Sequence, residues 1–134
     1  MTTVYTDTSA LLKRVVIEVE SAAVGALLRR LVADGELLVA SSLAWLEVWR
    51  ALRRAGLTDI ESVAESALSG VAEFPLDDVV LLRARRLGQD QLRSLDAIHL
   101  AAALAVGADS LLTYDERLAS SANAVGLKVL APLP

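Results

Sequence analysis

The stretch Val4-Tyr5-Thr6-Asp7-Thr8-Ser9-Ala10-Leu11-Leu12 joins a short β-prone run to a helical pattern at a single carboxylate. Val4 and Tyr5 favour extended backbone, whereas Asp7 and Thr8 are residue types that cap the first turn of a helix. Asp7 is therefore predicted to stand where the first strand ends and the first helix begins. In an open α/β sheet this position is the carboxyl edge, where ligands bind.

The composition sets limits on the class of protein. The chain has 134 residues, 54% of them hydrophobic, and a mean hydropathy of +0.49. This length suits one domain over residues 1–134, and no apolar run approaches the roughly 20 residues of a membrane span. The first residues enter a strand without a basic and then apolar leader, so we expect a cytoplasmic protein. The lack of cysteine excludes disulfides and thiolate metal sites. The excess of Ala, Leu and Val indicates buried helices and an oligomer interface.

Strand-like and helix-like segments alternate along the chain. Short apolar strands are predicted at residues 2–6, 36–40, 74–76, 110–113 and 128–130. Helical spacing of apolar residues predicts helices at residues 11–16, 21–34, 43–55, 58–72, 79–87, 95–106 and 118–122. No two neighbouring strands are joined by a hairpin turn. The pattern indicates an α/β fold, with a parallel sheet of four to five strands flanked by helices on both faces.

Polar residues predict how two of these helices begin. Thr58 and Glu61 fit a capping box, in which a Thr and an acid three residues later satisfy the first free N–H groups. Ser94 is predicted to cap the helix that follows the polar linker 89–93.

Four acids are candidates for one shared site: Asp7, Glu47, Asp96 and Asp115. Asp7 and Asp115 each follow a short apolar strand directly, so both should project from the carboxyl edge of the sheet. Asp96 lies in the first turn of its helix, where the helix dipole favours a carboxylate. Glu47 lies further into its helix, among apolar neighbours. An acid there is either exposed or held in a pocket by a cation.

Each acid also has an ordinary structural interpretation. Asp7 can be a helix cap, Asp96 a first-turn acid placed for the dipole, and Asp115 a turn residue. Glu47 can be an exposed helix position. Taken singly, these are the commoner roles of such residues. Because independent strand and helix boundaries place three of the acids at one edge, the set favours a shared site instead.

Clustered carboxylates without cysteine select hard cations such as Mg²⁺ or Mn²⁺. Such ions retain water and neutralise phosphate, so an all-carboxylate site suits the hydrolysis of phosphodiesters. Ser9, two residues after Asp7, and Thr113, two residues before Asp115, are predicted to support this site with their hydroxyl groups. The net charge of −4 alone disfavours a nucleic-acid partner, but cations gathered on the carboxylates reverse the sign locally.

Segments around these acids resemble the PIN-domain family and, within it, the VapC-type toxins of bacterial toxin–antitoxin pairs. The matching segments are Tyr5-Thr6-Asp7-Thr8-Ser9-Ala10-Leu11-Leu12-Lys13, Leu46-Glu47-Val48 followed by Arg50-Ala51-Leu52, Leu95-Asp96-Ala97-Ile98-His99-Leu100-Ala101, and Leu112-Thr113-Tyr114-Asp115-Glu116-Arg117-Leu118. They span essentially the whole chain in the family's order and spacing. The segment around Asp96 is the most specific of them, and none of the four acids is missing.

The resemblance implies a PIN-like fold and a Mg²⁺- or Mn²⁺-dependent endoribonuclease. It implies that Asp7, Glu47, Asp96 and Asp115 hold the metal ion. It also implies a homodimer and a small VapB-type antitoxin that blocks the site. Family members of this type cut structured RNAs such as tRNA or rRNA.

Several other polar residues are candidates for a role. His99, the only histidine, lies three residues after Asp96; a general-base role competes with a structural role in an apolar helix, which we favour. Arg50, Arg54 and Arg93 are candidates for contacts to RNA phosphates or to the antitoxin. Ordinary solvated charges explain these arginines equally well.

Trp45 and Trp49 are one helical turn apart. Such a pair suits a dimer or antitoxin interface. Packing into the core is the interpretation that we favour.

Three other functions remain open. A phosphatase of the haloacid dehalogenase type needs a second Asp two positions after the first, where this chain has Ser9. A phosphoacceptor switch domain shares a small parallel fold and a Lys near the last strand, a place that Lys128 could take. It also needs paired acids after the first strand, where this chain has Asp7 alone. A binding module that lost its chemistry is disfavoured by the presence of all four acids.

Overall fold

The computed structural model describes residues 1–134 and contains one parallel sheet of five short strands. The strands are β1 (Thr3–Thr6), β2 (Leu37–Ser41), β3 (Val71–Phe74), β4 (Ser110–Leu112) and β5 (Lys128–Leu130). Their order across the sheet is β3-β2-β1-β4-β5, and every neighbouring pair is parallel. The predicted parallel α/β fold is confirmed.

Seven helices connect and cover the strands. They are α1 (Thr8–Leu12), α2 (Ser21–Ala33), α3 (Ser42–Arg54), α4 (Ile60–Ala67), α5 (Asp78–Ala84), α6 (Ser94–Ala105) and α7 (Glu116–Ala124). Each of them is too short or too polar to cross a bilayer.

Alternate residues of the central strands pack into hydrophobic cores on opposite faces of the sheet, because successive side chains along a strand point to opposite faces. Tyr5 and Leu111 pack against α5, α6 and α7 on one face. Val4 and Leu112 pack on the other face with α1 and α2, and a neighbouring cluster continues through α3 and α4. Both faces of the sheet are therefore covered by helices, as predicted.

The strand order reverses direction beside β1. The chain runs from β1 to β2 and β3 on one side and then returns to place β4 and β5 on the other. The backbone N–H of Asp7 donates to the carbonyl of Leu112 at 2.9 Å, so the residues after β1 and after β4 leave the sheet side by side. Ligands of open α/β sheets bind at such a switch point, beyond the carboxyl ends of the strands.

The third strand begins earlier than predicted. The fourth helix was expected to reach residue 72, and a strand was expected at residues 74–76. Instead α4 ends at Ala67, and Val71–Phe74 forms β3. Gly70 turns the chain between them with a φ of +76°, which glycine adopts readily. Pro75 then ends the strand, because proline has no N–H to donate to the neighbouring strand.

Three predicted helix starts or ends are also wrong. Asp59, not Thr58, precedes α4, and no side chain caps that helix, so the capping box is not formed. Arg93 occupies the position before α6, and Ser94 is the first helical residue rather than its cap. The first helix ends at Leu12 instead of continuing to residue 16.

Candidate active site at the carboxyl edge of the sheet

The carboxylate of Asp7 is held at the corner between β1 and β4. Asp7 is 4% exposed, and its Oδ2 accepts hydrogen bonds from Ser9 Oγ at 2.7 Å and Thr113 Oγ1 at 2.8 Å. These two hydroxyls accept in turn from the backbone N–H groups of Tyr114 and Asp115, each at 3.0 Å. The Asp7 side chain makes no capping bond to α1. The hydroxyls therefore tie Asp7 to the end of β4.

Asp96 and Asp115 lie at the starts of two helices that point their first turns at the same edge. Asp115 caps α7, because its Oδ1 accepts from the N–H of Leu118 at 2.9 Å. Asp96 lies in the first turn of α6 and is partly exposed. Burial, and then the negative charges of Asp115 and Asp7, raise the pKa of Asp96 from 3.8 to about 6. Asp115 and Asp7 are therefore close enough to Asp96 for their charges to act on it.

Glu47 is turned toward His99. Glu47 Oε1 lies 2.5 Å from His99 Nε2 and accepts from Thr8 Oγ1 at 2.8 Å. His99 Nε2 also lies 3.6 Å from Oδ1 of Asp7. Burial opposes ionisation of Glu47, but the hydrogen bonds from His99 and Thr8 lower its pKa overall. Burial opposes charge on His99 as well, but hydrogen bonding to Glu47 and the charge of Asp7 raise the pKa of the imidazole. Glu47 is thus an anion held at the site.

The donor atoms at this edge fit a hard divalent cation. No three His, Asp or Glu side chains are already gathered closely enough to enclose an ion. However, His99 is the only basic side chain within 4.0 Å of any of the four acids. No lysine or arginine therefore relieves the repulsion that raises the pKa of Asp96. Carboxylate oxygens are the ligands that Mg²⁺ and Mn²⁺ prefer, and Oδ1 of Asp7 and Oε2 of Glu47 accept no hydrogen bond.

Arginines border the aspartates on the α6 and α7 side. A cleft of about 330 Å³ is lined by Arg93, Asp96, Asp115, Glu116 and Arg117. Both arginines are exposed, and neither pairs with an acid. Arg50 and Arg54 are exposed on α3, outside this cleft. Of the three arginines singled out in the sequence, only Arg93 therefore borders the acids in this cleft.

The two tryptophans differ in their surroundings. Trp45 is half-buried and packs against the core of α3 and α4, whereas Trp49 is 39% exposed. Both line a cleft of about 330 Å³ with Glu61 and Glu65 of α4. Core packing is therefore correct for Trp45 and wrong for Trp49.

Three residues that contribute to this edge were not singled out in the sequence: Tyr5, Thr8 and Arg117. Tyr5 is fully buried, and a buried phenol requires a hydrogen-bond partner, which was an available signal. Thr8 is the first residue of α1 and Arg117 the second residue of α7, and nothing in their residue type distinguishes them from ordinary first-turn residues.

Comparison with known protein families identifies relatives of this chain. The family model described as PIN domain matches residues 4–123. Two curated relatives come from Mycobacterium tuberculosis. Ribonuclease VapC46 is 40% identical over 134 residues, covering 98% of this chain and 99% of the relative. Ribonuclease VapC47 is 36% identical over 131 residues, covering 96% of both chains. The chain therefore belongs to the PIN-domain family, in its VapC-type branch.

Solved structures show the same fold at low sequence identity. VapBC2 from Rickettsia felis, bound to a DNA fragment from its promoter, has a TM-score of 0.72 at 14% identity and covers 97% of this chain and 98% of the solved one. VapC20 of Mycobacterium tuberculosis, a toxin that cleaves the sarcin–ricin loop, has a TM-score of 0.69 at 19% identity, with 92% and 95% covered. Both are similar to this chain in overall fold.

Proposed function

We propose that the protein is a divalent-metal-dependent endoribonuclease that acts as the toxin of a toxin–antitoxin pair. The observation that carries the proposal is the meeting of Asp7, Asp96 and Asp115 at the switch point of the sheet, with Glu47 beside them. Burial and the charges of Asp115 and Asp7 raise the pKa of Asp96 to about 6, although His99 partly offsets them. Carboxyl groups with a perturbed pKa at such an edge are typical of functional sites. The relatives named above are ribonucleases.

The four acids would hold the cation, which is proposed to be Mg²⁺ or Mn²⁺. When bound, such a cation stabilises negative charge on a phosphate and makes water a stronger nucleophile. Ser9 and Thr113 hold Oδ2 of Asp7, which leaves Oδ1 for the ion. Their hydroxyls thus fix the direction of the carboxylate before any substrate arrives.

RNA is proposed to approach from the α6 and α7 side. Arg93 and Arg117 line the same cleft as Asp96 and Asp115 and pair with no acid, so both are available to phosphates. These contacts offset the repulsion between the acidic edge and the RNA backbone.

The proposal is tested by incubating purified protein with total tRNA and with rRNA fragments in Mg²⁺, Mn²⁺ or EDTA. We expect cleavage with either ion, none with EDTA, and a loss of cleavage in both Asp7→Asn and Asp96→Asn. Cleavage that persists in EDTA, or in both variants, would overturn the metal-dependent nuclease.

The toxin role has a separate test in a bacterial host. We expect induced wild-type protein to arrest growth and Asp7→Asn, produced at the same level, to leave growth unchanged. Undisturbed growth with abundant folded wild-type protein would contradict a toxin.

A cognate antitoxin and a homodimer complete the proposal. Solved neighbours that support an antitoxin include a toxin–antitoxin complex from Klebsiella pneumoniae, with a TM-score of 0.68 at 21% identity and 96% of each chain covered.

The phosphoacceptor alternative finds no support in the sheet register. Lys128 begins β5 and pairs with Ser110, the first residue of β4. It therefore lies toward the amino ends of the strands, whereas Asp7 and Asp115 lie beyond the carboxyl ends. Lys128 is on the wrong edge to serve as the lysine of such a domain.

A further inference from the structure

His99 is a buried histidine with both ring nitrogens occupied. It lies in α6 and is fully shielded from solvent. Its Nδ1 is 2.7 Å from the hydroxyl of Tyr5, and its Nε2 is 2.5 Å from Oε1 of Glu47. The ring therefore connects β1 to α3 through the interior of the protein.

The Tyr5 hydroxyl is placed to donate to His99. It accepts from the backbone N–H of Ser41 at 3.0 Å, and Ser41 directly precedes the helix that carries Glu47. Because a backbone N–H can only donate, the remaining hydroxyl proton of Tyr5 is available for His99. When Tyr5 donates to Nδ1, the neutral imidazole carries its proton on Nε2 and donates it to Glu47; the imidazolium also donates to Glu47 from Nε2.

These contacts decide where the Glu47 carboxylate lies. The side chain of Glu47 is 22% exposed, so part of it reaches solvent. A glutamate there would otherwise sample several solvent-exposed rotamers. His99 and Thr8 instead both bind Oε1, and Oε2 accepts no hydrogen bond.

We infer that Tyr5 and His99 form a positioning pair that holds Glu47 beside Asp7 and thereby sets the affinity of the site for a divalent cation. The inference rests on the metal-binding part of the proposed function. His99 is neither a metal ligand nor a general base in this arrangement, because both of its nitrogens are committed. Hydrogen-bond partners of metal-ligating side chains commonly change metal affinity by about 10–100-fold when they are removed.

The first test uses His99 itself and requires no RNA. Mg²⁺ and Mn²⁺ affinities are measured by calorimetric titration of the full chain for wild type, His99→Leu and His99→Gln. We expect His99→Leu to bind both ions about 10–100-fold more weakly. His99→Gln should retain most of the affinity, because its amide N–H can still donate to Glu47. A merely structural histidine would give two variants with equal metal affinity.

The second test removes only the outer member of the pair. Tyr5→Phe deletes the hydroxyl that orients His99, and we expect ion affinity to fall by about threefold to tenfold, less than for His99→Leu. The matched control is Tyr114→Phe, since Tyr114 is the only other tyrosine and its hydroxyl bonds the carbonyl of Pro132 near the C-terminus. The control should bind ions as wild type does. If His99→Leu does not fold, Tyr5→Phe and His99→Gln decide the question.

The outcomes separate this inference from the proposed function. Ion affinity that is unchanged in Tyr5→Phe and in a folded His99→Leu overturns the positioning pair, even if wild type cleaves RNA. Weakened affinity in these variants supports the pair, even if no RNA is cleaved. Wild-type protein that binds neither ion overturns both.

Discussion

The folded protein holds the carboxyl group of Asp96 where its ionised form is destabilised. Burial and the charges of Asp115 and Asp7 raise its pKa from 3.8 to about 6. The unfolded chain has no such penalty, so it releases the proton at lower pH than the folded chain does. In the absence of metal, ionised Asp96 therefore lowers the free energy of unfolding. This loss of stability develops as the pH rises from about 4 to about 6, and it remains at higher pH.

This cost is measurable with Asp96→Asn. Without metal at pH 7.5, we expect the variant to melt roughly 3 °C higher than wild type, because its neutral amide removes the repulsion. At about pH 2.5 the difference should vanish, since Asp96 is then protonated in both the folded and the unfolded state. Thermal unfolding in EDTA at the two pH values checks this, with the exposed Asp90→Asn as control. A rise in melting temperature of equal size at both pH values would contradict ionisation of Asp96 as the cause.

Thr113 is the residue that joins two of the aspartates. Its hydroxyl donates to Asp7 and accepts from the N–H of Asp115. We expect Thr113→Val, which keeps the shape, to lower the rate of RNA cleavage by about tenfold. The control Thr6→Val deletes a buried hydroxyl that bonds only the carbonyl of Val39, and it should stay near the wild-type rate. Equal losses in the two variants would show a general packing effect.

Sequence could predict the aspartates but not the partners of Glu47. Asp7, Asp96 and Asp115 stand at strand and helix boundaries, and a boundary fixes which edge of a parallel sheet a residue reaches. Glu47 and His99 lie inside helices, where contact depends on how α3 and α6 are rotated about their axes. That rotation is set by packing between distant segments, which residue spacing does not reveal.

At the scale of elements, the sheet pattern was predictable and the segment boundaries were less so. The apolar run before Asp7 and the run before Asp115 mark β1 and β4 closely. The start of β3 was missed because Val71 and Ala72 also continue the helical spacing of α4. Two features favour the strand over a longer helix: the positive φ of Gly70 interrupts the helical backbone, and Val71–Phe74 pairs with β2.

The linker between α5 and α6 depends on another glycine. Gly88 has a φ of +82°, and an added methyl group would collide with the side chain of Leu92. Gly107 has a φ of +72° with open space around it. We expect both alanine variants to lose about 1–2 kcal/mol from the backbone conformation. Gly88→Ala should lose more, because Leu92 must also move. Urea unfolding checks the ranking, and equal losses would contradict the collision.

At the scale of the whole molecule, apolar side chains on α5 remain exposed instead of packing against the sheet. On α5, Val79, Leu81 and Leu82 are 57%, 42% and 52% exposed. Exposed apolar residues on one helix make it a candidate interaction surface. Together with the high hydrophobic content, they support the proposed homodimer.

The oligomeric state is therefore a prediction at this scale. We expect sedimentation velocity at micromolar concentration to give a dimer, and Leu82→Lys to shift it toward monomer because a buried ammonium is costly in an interface. The control Val125→Lys alters an exposed apolar residue just beyond α7 and should remain dimeric. A wild-type monomer would contradict the dimer, and a dimer that persists in Leu82→Lys would exclude this face.

The most direct test of the account uses the two aspartates that flank β4. Asp115 follows its carboxyl end, whereas Asp109 precedes its amino end and accepts from the N–H of Thr3 at 2.7 Å. RNA cleavage is measured against Mg²⁺ concentration for wild type, Asp115→Asn and Asp109→Asn. The account predicts Mg²⁺-dependent cleavage in wild type and Asp109→Asn and a loss of about a hundredfold in Asp115→Asn. Equal cleavage by Asp115→Asn and Asp109→Asn would contradict an active site at the carboxyl edge of the sheet.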